Sequence, residues 1–237
     1  MKLRTGLAAF VLATGLVLPL AFSQPAQPAQ PAQPAQPAQP AARPPLTGVQ
    51  RFEVRPGGIS RVSFTSDAPL ETIDGVSVNT TGGFTVDLGN PSRQLTGSVA
   101  ITTASLRTGS DLRDEHLRGG NWLDAEHHPN ITFELASTTV TGALRPGVAA
   151  RGQVRGRLTL HGVTREIALP VTVRLIPLTA EHTDMAQFGV NSDMLRIQGG
   201  FNIQLSDYGV SIFRPLRLKV SNTIALRVDL TAFRAGT

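Results

Sequence analysis

Apolar residues recur at every second position from Leu46 onward, and this period constrains the fold more than any other feature. It is clear at Val62/Phe64, Phe84/Val86/Leu88, Leu95/Val99/Ile101 and Ile131/Phe133/Leu135. It continues through Val154/Leu158/Leu160, Ile167/Leu169/Val171/Val173/Leu175 and Phe201/Ile203/Leu205, then Leu216/Leu218/Val220 and Ile224/Leu226/Val228/Leu230. Side chains alternate between the two faces of a strand, so this pattern makes half-buried strands and excludes an amphipathic helix. Turn formers separate the runs: Pro56-Gly57-Gly58, Thr81-Gly82-Gly83, Gly89-Asn90-Pro91, Arg145-Pro146-Gly147, His161-Gly162 and Gly199-Gly200. Strands joined in this way indicate an all-β antiparallel sandwich or barrel. One segment departs from the period. Ser110–Arg118, with Ser110 or Asp111 as N-cap and Gly119-Gly120 as its stop, reads as one short inserted helix.

The first 45 residues are different in kind. Lys2 and Arg4 precede an apolar run from Leu7 to Phe22, and Ala21-Phe22-Ser23 places small residues for cleavage before Gln24. Residues 1–23 are therefore expected to be a signal peptide, with an uncleaved membrane anchor as the weaker alternative. Residues 24–45 hold six Gln-Pro-Ala triplets and then Ala42-Arg43-Pro44-Pro45. Proline at every third position predicts a disordered, extended linker reaching on the order of 65 Å at ~3.1 Å per residue. The expectation is a periplasmic or secreted domain spanning 46–237.

The formal charge of +5 gives little support to a nucleic-acid partner. Lys2, Arg4 and Arg43 lie in the leader, which leaves 19 basic and 17 acidic side chains over 46–237. One Trp and one Tyr offer little base stacking. Zero Cys excludes disulfides, thiolate metal sites and a lipidated Cys. No nucleophile elbow, Ser-x-x-Lys or phosphate-binding glycine loop is present.

Five His residues remain as chemical candidates: His116, His127, His128, His161 and His182. Adjacent His127 and His128 would point to opposite faces of a strand, and no HExxH motif occurs. The expectation is no metal, no cofactor and no catalysis. A metal-assisted hydrolase using His116, His127 and His128 stays as the rival from the enzyme class. Another rival is a solid-cored structural or stress-linked surface module. A barrel of about eight strands is just wide enough for packed side chains or one elongated ligand. The large residues available to line such a cavity are Phe64, Phe84, Trp122, Phe133, Phe188, Phe201 and Tyr208.

Three segments together resemble the YceI-like family. They are Ser105–Gly109 with Leu112–Arg118 and Trp122–Phe133, then Gly156–Arg165, then Asp207-Tyr208-Gly209. The resemblance covers about residues 47–232. It implies a lipocalin-like, eight-stranded antiparallel barrel, exported to the periplasm, that binds a polyisoprenoid, an isoprenoid-quinone-like lipid or a similar long-chain amphiphile for transport, storage or stress response. It places Arg113, Asp114 and His116 in the family's helix motif. Asp114 is expected to pin the helix, whereas Arg113 and His116 are candidates for contact with a polar head. Transient membrane contact fits the same reading, and the oligomeric state stays open. This sequence departs from the family at Ile59-Ser60 and Ala68, where His-Ser and a second His are usual. It departs again at His128 in place of an aromatic and at Leu205 in place of Arg.

Overall fold

The computed structural model describes residues 46–57 and 59–236. The expected signal peptide and Pro-rich linker lie outside the described residues. Ten strands follow the period-two runs: β1 (Val49–Val54), β2 (Arg61–Asp67), β3 (Thr72–Ser77), β4 (Thr80–Asp87) and β5 (Leu95–Thr102). After one helix, α1 (Asp111–Arg118), come β6 (Asn130–Thr138), β7 (Ala149–Leu160), β8 (Val163–Ile176), β9 (Met194–Gln204) and β10 (Thr223–Arg234). Alternation is plain in β7, where Arg151, Gln153, Arg155 and Arg157 are exposed while Val154, Gly156, Leu158 and Leu160 are buried.

All strand pairings are antiparallel, in the order β1-β4-β5-β6-β7-β8-β9-β10-β2-β3, and β1 also pairs with β10. That last pairing closes an eight-stranded barrel. Ten strands make eight staves because two staves are broken. β1 and β2 both lie against β10, at Val54↔Ala232 and Arg61↔Asp229. β4 pairs with β5, while β3, beyond a break at Val78-Asn79, reaches Arg107 through one bridge.

Several expectations about elements change. Two of the expected turns, Thr81-Gly82-Gly83 and Gly199-Gly200, lie inside β4 and β9, where the missing side chains let neighbouring backbone approach closely. Leu216/Leu218/Val220 does not form a strand. Arg214–Leu216 is a 3₁₀ turn followed by further turns. Pro215 has no N–H to give a ladder, and Leu218 is exposed. Conversely β1 and β3 form although their sequences, VQRFEV and TIDGVS, alternate weakly. The helix starts after Ser110 and ends at Gly119, whose N–H donates to the carbonyls of Glu115 and His116.

The register fixes which connections share an end. The pairs Asp67↔Thr72, Thr102↔Asn130, Leu160↔Val163 and Gln204↔Thr223 lie at one end, together with α1. The opposite end is a floor, where Val140 and Leu144 of the β6–β7 connection are buried and the Leu144 N–H donates to the Leu88 carbonyl at 2.8 Å. Stacked Phe52 and Phe84, 5.9 Å between centroids, pack in the same cluster.

Candidate ligand cavity

The inward faces of these strands do not meet in the middle. They enclose a cavity of about 420 Å³, lined from Val140 and Leu144 at the floor to Leu117, Trp122 and Leu216 at the other end. This volume is within the range of about 300–1,000 Å³ that holds small-molecule ligands. Val173, Ile197, Phe201, Leu226 and Val228 face this interior yet stay only half-buried, because their ends look into open space. A solid-cored barrel is therefore not what this chain forms.

Glycines make part of that room. Gly75 lies directly opposite Phe64 across the β2–β3 pair, and a Cβ on Gly75 would sit 2.2 Å from the Phe64 ring. The ring can thus lie back against the wall. Gly156 does the same for Phe133, whose ring atoms would be 2.6 Å from a Cβ there. Large aromatic rings flattened over glycine widen a barrel that eight strands would otherwise fill.

The wall is almost entirely apolar, and the charged groups gather at the end that carries α1. Glu71, Arg113, His116 and Lys219 border the cavity there. Arg113 Nη2 is 2.8 Å from Glu71 Oε1, which ties the helix to the β2–β3 turn. Both side chains of that pair are about one-third exposed, so it is worth at most about 1 kcal/mol to stability. Such a rim suits a polar head, and the interior behind it suits a chain held by apolar burial.

Asp114 carries the architecture of this rim. Its carboxylate is buried and accepts from the backbone N–H and the hydroxyl of Thr108, both at 2.7 Å. Burial alone would raise its pKa, but the Thr108 bonds, with Arg107 and Arg118 nearby, outweigh it and hold the group below its ordinary value. The result is a helix fastened to the loop before it.

Of the residues expected to line a cavity, Phe64, Phe84, Trp122, Phe133 and Phe201 border it, as do Arg113 and His116. Phe188 does not, because it sits exposed in the β8–β9 connection, outside the barrel. Tyr208 is also absent from the wall. It is buried behind it, packed with Leu106, Leu123 and Val210, and burial raises its phenol pKa. Both corrections have one cause: aromatic size says nothing about which face or which connection a residue occupies. Sequence reasoning missed Glu71 and Lys219 at the rim and the aliphatic wall residues such as Ile167 and Ile197. The period-two pattern carried the signal for the aliphatic ones. His116, His127 and His128 do not form a common site. His116 borders the cavity, whereas exposed His127 pairs with Asp124 at 2.9 Å.

Comparison with known proteins gives three findings. A family model described as the YceI-like domain matches residues 54–232. A UPF0312 protein of Pseudomonas paraeruginosa is 30% identical over 131 residues, or 55% of this chain and 60% of that protein. The chain thus matches only about 60% of the length of that relative. Two solved structures share the fold. One is BcnA of Burkholderia cenocepacia, with TM-score 0.56, 18% identity, and coverage of 73% of this chain and 95% of that one. The other is a polyisoprenoid binding domain of Saccharophagus degradans, implicated in plant cell wall breakdown, with TM-score 0.57, 17% identity, and coverage of 79% and 99%.

Proposed function

This chain belongs to the YceI-like family, and from that premise we propose that it is an exported, non-enzymatic carrier holding a polyisoprenoid or similar long-chain amphiphile inside its barrel. The observation that carries the reading is the cavity itself: an apolar interior of about 420 Å³, with Glu71, Arg113, His116 and Lys219 at one end only. That division matches a molecule with one long apolar chain and one polar head. The Saccharophagus neighbour, named for polyisoprenoid binding, supports the choice of lipid. Export rests on the residue pattern of 1–23, and an exported chain is expected to begin at Gln24 when its N-terminus is sequenced from the periplasmic fraction.

The decisive experiment is solvent extraction of the purified full chain followed by mass spectrometry. A long-chain lipid near one equivalent is expected. Repeated absence of lipid, together with no uptake of an added isoprenoid quinone, would overturn the reading. Transfer is proposed to pass through the rim, where Leu70, Leu112, Phe213 and Leu218 are exposed in connections at the α1 end. The Leu70 N–H donates to the Leu218 carbonyl at 2.8 Å, so two of these residues are neighbours. Leu70→Asp combined with Leu218→Asp is expected to slow uptake from lipid vesicles several-fold. Unchanged uptake removes the rim from the pathway.

A further inference from the structure

Asp124, His128 and His161 lie outside the cavity wall, and each offers one ligand atom. These atoms all lie within 4.8 Å of one another, and all three residues are half-buried. They come from different parts of the chain. Asp124 sits in the turn after α1, where its N–H donates to the Gly119 carbonyl at 3.1 Å. His128 directly precedes Pro129 and β6, and its N–H donates to the Asp124 carbonyl at 2.7 Å. His161 forms the tip of the β7–β8 hairpin. Only the tertiary fold brings that tip to the α1–β6 connection, where the His128 and His161 rings meet edge to face at 5.0 Å.

Two further observations point to a ligand rather than a chance meeting. Among the described residues, Asp124 (φ 45°) and His161 (φ 50°) are the only non-glycine residues with positive φ. Backbone of that kind costs energy for residues with a Cβ, and it concentrates where side-chain placement matters. Both positions belong to this one cluster, and that of His161 is also the first of the two left-handed residues, with Gly162, that turn the β7–β8 hairpin. The second observation is that two of the three groups already have an outer partner. The Nδ1 of His161 lies 3.1 Å from the Tyr208 carbonyl oxygen. A carbonyl only accepts, so Nδ1 is the donor there and Nε2 is the ring nitrogen left to meet a ligand. Asp124 is paired with Nδ1 of His127, which lies 2.9 and 3.0 Å from its two oxygens. An oriented imidazole and a held carboxylate are what metal-ligating side chains require of their surroundings.

We propose that Asp124, His128 and His161 bind a divalent transition-metal ion of the zinc type. Two imidazoles and one carboxylate suit zinc, and its usual ~2.0–2.1 Å bonds need the three half-buried side chains to draw together by about an ångström. The remaining coordination position is left to water. The ion would staple the α1–β6 connection to the β7–β8 hairpin. The hairpin is itself tied to the β9–β10 connection by His161 to Tyr208 and by Arg165 Nε to the Asp207 carbonyl at 3.1 Å. One ion would thus lock three connections at the α1 end of the barrel. The three residues lie outside the cavity wall, so the ion would bind whatever the cavity holds.

The test uses the untagged full chain, freed of metal with a chelator and titrated with Zn²⁺ by calorimetry. One saturable equivalent is expected, with a rise in Tm. His161→Asn and Asp124→Asn keep residues that tolerate the left-handed backbone, and each is expected to weaken binding at least tenfold, as is His128→Gln. His127→Ala removes only the outer partner and is expected to weaken binding about 10–100-fold without abolishing it. Circular dichroism of the metal-free variants checks that each is folded. If one is not, Co²⁺ added to the wild-type chain decides, because imidazole and carboxylate ligation gives visible d–d absorption bands. No saturable equivalent of Zn²⁺ and no Co²⁺ bands, or equal affinity in folded variants, would overturn the site.

Discussion

The hydroxyl of Ser60 lies where β1 gives way to β2, and it does there what a ladder would otherwise do. It accepts from the Thr231 N–H at 3.1 Å and donates to the Thr231 carbonyl at 3.3 Å, with Ser60 fully buried. Ser60→Ala leaves a buried N–H without a partner and is expected to cost about 1–3 kcal/mol. A urea midpoint unchanged from wild type would show that the break has another support. Asp114 offers a pH signature. Its pKa is lowered in the fold, so the stability it contributes is fully present above the ordinary carboxylate pKa of ~4 and is lost as pH falls through the lower, folded value. Asp114→Asn is therefore expected to lower Tm near neutral pH, and the gap to wild type should close in acid. A gap independent of pH would mean that the carboxylate charge is irrelevant. The role of Ser60 is not legible in the sequence, since a Ser in a Gly/Pro-rich break looks like an ordinary surface residue, whereas the helix motif already points to Asp114 as the residue that pins α1 and the fold supplies its partner, Thr108.

At the scale of elements, the glycines opposite Phe64 and Phe133 separate two demands on a strand. A Cβ at Gly75 would meet only the far edge of the Phe64 ring, a side chain able to swing into the lumen. One at Gly156 would also sit 2.2 Å from the Glu134 carbonyl, which is backbone of the neighbouring strand. Gly75→Ala should thus fold nearly as well as wild type but take up less lipid. Gly156→Ala should lose several degrees of Tm through the β6–β7 pairing. Equal stability of the two variants would refute this distinction. Elements also show where alternation misleads. Leu216, Leu218 and Val220 have the period of a strand but follow Pro215 and cap the rim as turns, while β3 is a strand despite carrying Asp74 and Gly75. The partner strand and the local donor supply decide such cases, and neither is local in sequence.

For the whole molecule the consequence is a barrel hollow along its axis. Val173 faces that space from the middle of the β8–β9 pairing, opposite Ile197. Val173→Trp should fill part of the lumen. Overpacking a filled core costs about 1–3 kcal/mol, but here the ring has room, so stability should hold while lipid uptake falls at least several-fold. A folded Val173→Trp protein that takes up lipid like wild type would place the ligand elsewhere. Charge at this scale is modest, and what matters is its placement. The interior has almost none, and the α1 end gathers Glu71, Arg113, His116 and Lys219.

The sequence by itself determined an all-β antiparallel sandwich or barrel with one inserted helix, because a two-residue period is a local property that side-chain sterics translate directly into strands, and the choice of an eight-stranded barrel came with the resemblance to the YceI-like family. It also determined the family, through three short segments whose order and spacing are linear information. Only the tertiary structure decided that the barrel is hollow, since a lumen depends on which rings lie back over Gly75 and Gly156 across a strand pair. It alone placed Phe188 outside the barrel and Tyr208 behind its wall. It alone gathered Asp124, His128 and His161, for closure brings a hairpin tip to a connection more than thirty residues earlier.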